Sequence, residues 1–288
     1  MTHPTFVGIT GLPRAGSTLL CQMLAQHPEI HCEGVTSPLC NVVLGIRRMI
    51  GKDRFFLSQL DRSFDRGYAH LAGGLQGFVR GWYRDCGKKL VADKNRAWLH
   101  AVELLLQLEP DAKLIVCLRE LGQIYGSIEA QHQRTILMDF IDELADFDRF
   151  GRAEVLFAKD RTIGAPLTSL QAVADLPREV QNRLYMLRFE DMVERPVELM
   201  SQLYSWLGVS PLTVDPERVA TIAVSESDSH YSMKYPHTQS ERVAKPHRHQ
   251  IPPRIQAQIE KEYAWYYQYF YSKNAAAPPA RPPPGARS

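Results

Sequence analysis

A glycine-bounded loop near the start of the chain constrains the fold more than any other feature. The segment GITGLPRAGSTLL, residues 8–20, has the pattern of a strand end, a loop and a helix start. In such a loop several backbone amide groups converge on an anion, and the helix N-terminus adds a favourable dipole. The sequence therefore predicts a phosphate-binding loop that follows the first strand of an α/β domain.

This loop departs from the nucleoside triphosphate pattern at one position. Gly11, Gly16 and the pair Ser17-Thr18 nearly match GxxxxGK[ST], but Ser17 stands at the lysine position and the basic residue is Arg14. A kinase or triphosphate hydrolase is expected to keep that lysine. We therefore expect the loop to hold a phosphate-like group other than the γ-phosphate of ATP.

Composition narrows the possible partners and the compartment. The formal net charge of +2 is too small to indicate nucleic acid or an anionic membrane, so an anion site must come from local clustering. The five cysteines include no CxxC pair, which favours a reduced compartment over a disulfide framework and disfavours zinc. No signal peptide and no apolar run near the roughly 20 residues of a membrane span is visible, so we expect a cytoplasmic protein.

Predicted strands alternate with predicted helices along the chain, which indicates a parallel sheet with right-handed crossovers. We expect an α/β fold of the P-loop NTPase type, a three-layer sandwich around a central parallel sheet. The predicted strands are 5–10, 29–32, 89–92, 112–118 and 185–188. The predicted helices are 18–26, 37–50, 55–86, 98–108, 122–132, 197–207 and 253–273.

Ligands of parallel sheets bind beyond the carboxyl ends of the strands. That rule places residues 93–95, 119–120 and 188–191 beside the loop at one edge of the sheet. The C-terminal helix is rich in aromatic residues, and we expect them to pack on the domain; a platform for the acceptor is the alternative. A single domain over 1–273 is expected, followed by a disordered tail rich in proline and alanine over 274–288.

Two further segments carry a family resemblance. CLRELGQIYGSIEAQ, residues 117–131, places Ser127 eight residues after Arg119, and LRFEDMVERP follows at 187–196. Together with GLPRAGSTLL, they resemble the sulfotransferases that use 3′-phosphoadenosine 5′-phosphosulfate (PAPS). HPEIHCEG, DKNRAWL and SERVAKP are similar to segments of the bacterial and tyrosylprotein branch.

The resemblance implies where the nucleotide binds. Arg119 and Ser127 would hold its 3′-phosphate, and Lys245 and Arg248 are weaker candidates for closing over the nucleotide. Two departures are Phe189, where a tyrosine is usual, and Gln131, where the branch has a second arginine. The loop would hold the 5′-phosphosulfate through Arg14, Ala15, Gly16, Ser17, Thr18 and Leu19.

The resemblance also implies an in-line sulfonate transfer to a hydroxyl group, with no metal. Arg14 and Lys94 would stabilise the charge that develops on the bridging oxygen. Glu33, left from the acidic pair of the branch, would remove the hydroxyl proton as general base. The alternative bases are His31, Asp93 and His247.

The acceptor remains open among a tyrosine peptide, a glycan and a small molecule. Two other functions also remain open. A P-loop small-molecule kinase would require magnesium and ATP, and Ser17 argues against it. A nucleotide-binding regulator without catalysis would bind the bisphosphate product and turn nothing over.

Overall fold

A five-stranded parallel sheet forms the centre of the protein. The structure is a computed structural model and describes residues 3–139, 143–219 and 240–271. The spatial order of the strands is β2-β3-β1-β4-β5. In chain order they are β1 (Thr5–Gly11), β2 (Ile30–Thr36), β3 (Leu90–Lys94), β4 (Lys113–Leu118) and β5 (Leu184–Arg188).

Strand β1 lies between β3 and β4 in the sheet. Val7 is opposite Ala92 of β3, and Ile9 is opposite Ile115 of β4, both in parallel register. The carboxyl ends of these strands therefore meet at one edge, where the loop after Gly11 begins. The predicted α/β fold with a central parallel sheet is confirmed.

Helices connect the strands and follow the last one. They are α1 (Ser17–Leu24), α2 (Leu39–Ile50), α3 (Arg54–Arg62), α4 (Phe64–Trp82), α5 (Val102–Leu108), α6 (Leu121–Arg134), α7 (Arg149–Phe157), α8 (Gly164–Val173), α9 (Arg178–Gln181), α10 (Phe189–Glu194), α11 (Pro196–Leu207), α12 (Pro253–Glu262) and α13 (Ala264–Phe270), and a 3₁₀ turn spans Arg96–Leu99.

Several predicted boundaries differ from the structure. The predicted helix 55–86 is two helices, because Ser63 between α3 and α4 has extended backbone with φ of −162°. The predicted helix 98–108 begins as the 3₁₀ turn, and strand β2 continues to Thr36 instead of ending at residue 32. Helices α7 to α10 were not predicted. The tail expected at 274–288 lies outside the described residues.

Strand β4 is the apolar centre of the core. Its residues from Leu114 to Leu118 are all buried, which explains the uninterrupted apolar run in the sequence. Trp98 from the 3₁₀ turn is fully buried and packs edge-on against Phe6, with ring centroids 5.4 Å apart. The five cysteines are free thiols. Among the described residues, no helix is long and apolar enough to cross a membrane.

The aromatic C-terminal segment packs on the domain, as predicted, but as the two helices α12 and α13. Tyr266 and Phe270 are fully buried. Arg188 at the end of β5 donates to the backbone carbonyl of Phe270 at 2.8 Å and forms two hydrogen bonds with Asp191. The ion pair in the LRFED segment therefore holds the C-terminal helix against the sheet.

Candidate active site

The loop between β1 and α1 has the backbone that its sequence predicts. Gly11 has φ of 122°, and a Cβ atom there would collide with the backbone of Cys117 in β4. Arg14 has φ of 58°, in the left-handed region, and Gly16 has φ of 83°. The loop therefore turns tightly against β4 and presents the Arg14 side chain from an unusual backbone conformation.

The N-terminus of α1 faces the region beyond the sheet edge. Its cap residue is Gly16, which has no side chain to occupy the first amide groups, and no acidic residue lies in the first turn. A Cβ atom on Gly16 would lie 2.6 Å from the Cε atom of Met192 and closer still to the Phe189 ring. Glycine at this position thus lets the loop pack on α10 while its amides remain available to an anion.

Arg14 joins the two anion sites that the sequence predicts. Its Nε donates to the hydroxyl oxygen of Ser127 at 3.1 Å. Its backbone carbonyl accepts from Nη1 of Arg119 at 2.8 Å. The structure therefore brings together the loop, the residue after β4 and the serine on α6.

Helix α6 lies along this site with one face. Ser127, Ala130, Gln131 and Arg134 line the same cleft, at the i, i+3, i+4 and i+7 spacing of a helix face. The helix begins at a cap made by Glu120, whose carboxylate accepts from the amides of residues 122 and 123 at 3.0 and 2.7 Å. This capping fixes the direction in which α6 leaves the sheet edge.

The cleft between these elements has a volume of about 370 Å³ and is lined by basic side chains. Four arginines and one histidine reach it, and none of its described lining residues is a carboxylate. An environment with this charge suits a multiply charged anion. The basic residues of this arginine cleft are Arg14, Arg119, Arg134, Arg242 and His249.

Arg119 is held rigidly behind the cleft. It is only 8% exposed, and its guanidinium lies over the Phe189 ring, 4.6 Å from the centroid. Burial lowers the pKa of Arg119, and the nearby Glu190 carboxylate opposes this change. The backbone carbonyl of Arg119 accepts from the Tyr266 hydroxyl at 2.9 Å. Glu190 in turn accepts from the Tyr271 hydroxyl at 2.9 Å, so the aromatic helices support this side of the cleft.

The chain returns over the cleft at residues 240–251. Arg242, Ala244 and Pro246 line it, whereas the intervening Lys245 pairs with Glu194 at 3.3 Å on the surface. The structure therefore does not bring Lys245 to the cleft. His247 and Arg248, also considered from the sequence, are exposed and lie outside the lining.

Lys94 and Asp93 lie at the end of β3. Lys94 is 6% exposed and belongs to the same sheet edge as the loop, although it does not line the arginine cleft. Asp93 accepts from the Tyr83 hydroxyl and from the Trp98 indole, both at 2.6 Å. Burial raises the pKa of Asp93, while these hydrogen bonds act in the opposite direction. Asp93 is thus engaged by donors on both oxygens.

Glu33 lies on β2 beside the Asp93 network. Its side chain is 61% exposed and pairs with Nε2 of His31 at 3.4 Å. The His31 ring packs edge-on against Tyr83, with centroids 5.9 Å apart. Glu33 is close enough to raise the pKa of Asp93. Glu33, His31 and Asp93 therefore form a second group around Tyr83, separate from the residues that line the arginine cleft.

Three basic residues of the cleft were not predicted from the sequence. Arg134 follows Gln131 by three residues on the same face of α6, so helical spacing could have identified it as the second arginine. Arg242 lies inside the SERVAKP segment, in which the family resemblance indicates Lys245. His249 gave no local signal. Among the described residues, no group of three or more metal-binding side chains is present.

Comparisons with known proteins point to one family. The sequence pattern of the family described as "Sulfotransferase family" matches residues 4–213. The nodulation protein NoeE of Sinorhizobium fredii (strain NBRC 101917 / NGR234) is 26% identical over 225 residues, which cover 72% of this chain and 51% of NoeE. The chain thus spans about half the length of this curated relative.

Two solved sulfotransferase structures are similar to this chain. The sulfotransferase of Alicyclobacillus acidocaldarius is 15% identical with a TM-score of 0.52, and the match covers 92% of each chain. The sulfotransferase domain of the Synechococcus PCC 7002 olefin synthase is 17% identical with a TM-score of 0.47, covering 92% of this chain and 96% of that domain. The first of these supports the fold.

Proposed function

This chain belongs to the sulfotransferase family, and from that premise we propose that it transfers a sulfonate group from PAPS to a hydroxyl acceptor. The observation that supports this donor is the arginine cleft, in which four arginines, one histidine and the N-terminus of α1 converge without a lining carboxylate among the described residues. PAPS supplies an activated sulfonate group, and it carries about four negative charges at neutral pH.

The cleft residues fit a nucleotide with two separate anionic groups. The loop and the first turn of α1 form one anion site through backbone amides and Arg14. Arg119 and Ser127 form the other, and Arg134 lies on the same helix face. We assign the phosphosulfate to the first site, which includes Ala15, Ser17, Thr18 and Leu19, and the 3′-phosphate to the second.

Arg14 is the residue best placed to act on the transferring group. It belongs to the loop assigned to the phosphosulfate, and its Nε donates to Ser127 of the second site, so its guanidinium lies between the two anion sites. A fixed cation at this position stabilises negative charge that develops on the bridging oxygen. Lys94, at the end of the adjacent strand, is the second cation of this proposal.

Glu33 is the preferred general base. A hydroxyl group is a weak nucleophile until its proton is removed. Asp93 accepts hydrogen bonds on both oxygens, whereas the Glu33 carboxylate is largely exposed. His31 would orient the Glu33 carboxylate. The acceptor would then approach from the β2–β3 side, with a tyrosine peptide as the first candidate and glycans or small molecules as the others.

The loop sequence and the side chains that line the cleft disfavour a small-molecule kinase. Ser17 stands where a kinase loop keeps its lysine. The described lining of the cleft also lacks the carboxylates that usually help to hold magnesium beside phosphates. A regulator without catalysis would bind the bisphosphate in the same cleft. It differs from the proposed enzyme only because it transfers no sulfonate group.

A pair of measurements tests the proposal. Adenosine 3′,5′-bisphosphate without magnesium should raise the melting temperature, whereas Mg-ATP should do so weakly. Labelled sulfonate should then pass from PAPS to at least one member of a panel of tyrosine peptides, glycans and small alcohols. Stabilisation by Mg-ATP alone would contradict the donor, and bisphosphate binding without any transfer would favour the regulator.

A further inference from the structure

Two hydrogen bonds hold the backbone of His249 against α6, one turn before Ser127. The Gln123 side chain donates to the backbone carbonyl of His249 at 3.1 Å and accepts from its amide at 2.9 Å. Gly126 lies next to His249, and a Cβ atom there would come within 2.5 Å of the Cβ atom of His249 and of the Cδ1 atom of Ile251. The two hydrogen bonds and the absence of a side chain at Gly126 hold the Cβ atom of His249 next to the turn that carries Ser127.

The ring of His249 is surrounded by arginines. It lines the cleft together with Arg242 of its own segment. Arg14 from the loop, Arg119 from the end of β4 and Arg134 from α6 act on it electrostatically. Burial and these three charges lower the pKa of His249.

The two carboxylates that act on Arg119, Glu120 and Glu190, are engaged elsewhere. Glu120 accepts from the α6 amides and from the Tyr267 hydroxyl. Glu190 accepts from the Glu120 amide and from the Tyr271 hydroxyl. A bound anion in the cleft would therefore become the main negative charge that acts on the imidazole.

On the basis of the proposed function, we propose that His249 is a further ligand of the nucleotide's 3′-phosphate and that binding of the bisphosphate takes up a proton at this ring. The imidazole shares the Gly126–Ser127 turn with the serine assigned to that phosphate. A phosphate dianion within hydrogen-bonding distance favours the imidazolium form, which donates from both nitrogens. The proton comes from the buffer, and no bond of the nucleotide changes.

The direction of the pH effect follows from this coupling. The pKa of His249 is low in the free protein and higher in the complex. The affinity for the bisphosphate that His249 adds therefore appears as the pH falls through the pKa of the complex. It is complete below the pKa of the free protein. Adenosine 5′-monophosphate has no 3′-phosphate and should gain none of it. The ring would thus add pH-dependent selectivity for 3′-phosphorylated nucleotides.

Calorimetry on the full chain tests this inference. Adenosine 3′,5′-bisphosphate is titrated at pH 6, 7 and 8 in buffers with different ionisation enthalpies, which reports proton uptake. The wild type is compared with His249→Gln, and with His70→Gln as the matched control, because His70 is exposed on α4. Protonation of the nucleotide itself is common to all three proteins and cancels in the comparison.

We expect the wild type and His70→Gln to take up more protons than His249→Gln. The affinity ratio of wild type to His249→Gln should grow about tenfold from pH 8 to pH 6, and adenosine 5′-monophosphate should show no such growth. Equal proton uptake by the wild type and His249→Gln would overturn the inference. No binding of the bisphosphate by the wild type would instead overturn the proposed function.

A second measurement needs no substitution at this position. The His249 ring resonances of the wild type, followed by NMR against pH, should titrate at a higher pH with the bisphosphate bound than without it. An unchanged titration would also overturn the inference, even if His249→Gln failed to fold. Gln123→Ala should reduce the difference between the two titrations, because it removes both hydrogen bonds that position the ring.

Discussion

Nη1 of Arg119 donates to the backbone carbonyl of Arg14 at 2.8 Å. This bond connects the residue after the central strand with the phosphate loop, and it supports a residue whose φ of 58° is unfavourable for most side chains. The same guanidinium lies over Phe189 and is almost completely buried. Arg119 therefore shapes the loop in addition to contributing charge to the cleft.

Replacement of Arg119 should weaken nucleotide binding, and lysine should not restore it. A lysine cannot donate to the Arg14 carbonyl, stack on Phe189 and bind a phosphate in the fork geometry of a guanidinium. We expect the bisphosphate dissociation constant to rise about tenfold to a hundredfold in both Arg119→Ala and Arg119→Lys. Calorimetry checks this against Arg178→Ala, an exposed arginine on α9; full affinity in Arg119→Lys would contradict the dual role.

Replacement of Arg14 should remove catalysis more than binding. We expect Arg14→Ala to lower the sulfonate transfer rate about 10²- to 10³-fold, because a fixed cation acts on charge in the transition state. Arg14→Gly tolerates the left-handed backbone and removes the same side chain, so equal losses in both variants exclude backbone strain as the cause. Single-turnover rates give the measurement, with exposed Arg47→Ala as control; an unchanged rate in Arg14→Gly would refute the assignment.

Replacement of Glu33 should separate the general base from the nucleotide site. Glu33 lies outside the arginine cleft, so Glu33→Gln should bind the bisphosphate normally and transfer sulfonate about 10²-fold more slowly. Single-turnover rates measure this, with exposed Glu103→Gln on α5 as control. A wild-type rate in Glu33→Gln would place the base elsewhere.

The Tyr83–Asp93 hydrogen bond should contribute to stability in a pH-dependent way. Tyr83→Phe should lower the free energy of unfolding by about 1–3 kcal/mol at pH 7, because it leaves one oxygen of a buried carboxylate with one donor fewer. Burial raises the pKa of Asp93 above its ordinary value of 3.8, so stability from this group declines as the pH rises from that value through the folded-state pKa.

Because the lost donor stabilised the carboxylate form, the cost of Tyr83→Phe should be smaller at pH 4 than at pH 7. Urea unfolding at both values gives the comparison. Tyr68→Phe, an exposed tyrosine stacked on Phe64, should change the free energy of unfolding by less than about 0.5 kcal/mol. Equal costs at the two pH values would mean that the hydrogen bond does not depend on ionised Asp93.

Alanine at Gly126 should weaken nucleotide binding, whereas alanine at Gly73 should stabilise the folded protein. A Cβ atom at Gly126 would press on His249 and Ile251, so Gly126→Ala should displace the returning segment and weaken bisphosphate binding. A Cβ atom at Gly73 meets nothing within 4 Å, so Gly73→Ala should raise the free energy of unfolding by about 0.5–1 kcal/mol through helix propensity. Calorimetry and urea unfolding of both variants measure the two effects; unaltered binding in Gly126→Ala would contradict the close packing.

The parts of the site that the sequence predicts depend on short-range geometry. The loop, its two glycines and the start of α1 lie within one short segment, so local backbone rules and the order of elements in a parallel sheet predict them. The family resemblance supplied the pair of Arg119, just before α6, and Ser127, in the middle of α6. The structure joins the loop to this pair through Arg14, whose Nε donates to Ser127 across 113 positions of sequence.

The remaining parts depend on long-range packing that local patterns do not encode. His249 reaches the cleft because Gln123, 126 positions earlier, binds its backbone. The sequence indicates Lys245 and not Arg242, because it does not show which alternate side chains of the returning segment face the cleft. Helix α7 lacks a clear apolar period because it buries Arg152, which forms two hydrogen bonds with Glu129 at 2.8 and 2.6 Å.

The hydroxyl groups of the aromatic C-terminal helices have a consequence for how short a working version of this protein can be. The segment that matches the family ends at residue 213, yet Tyr266 supports Arg119, and Tyr271 supports Glu190. A chain trimmed to residues 4–213 would keep the whole segment that matches the family pattern. It would lack one wall of the cleft and the supports of Arg119, so we expect the smallest fragment that binds the nucleotide to extend to Tyr271.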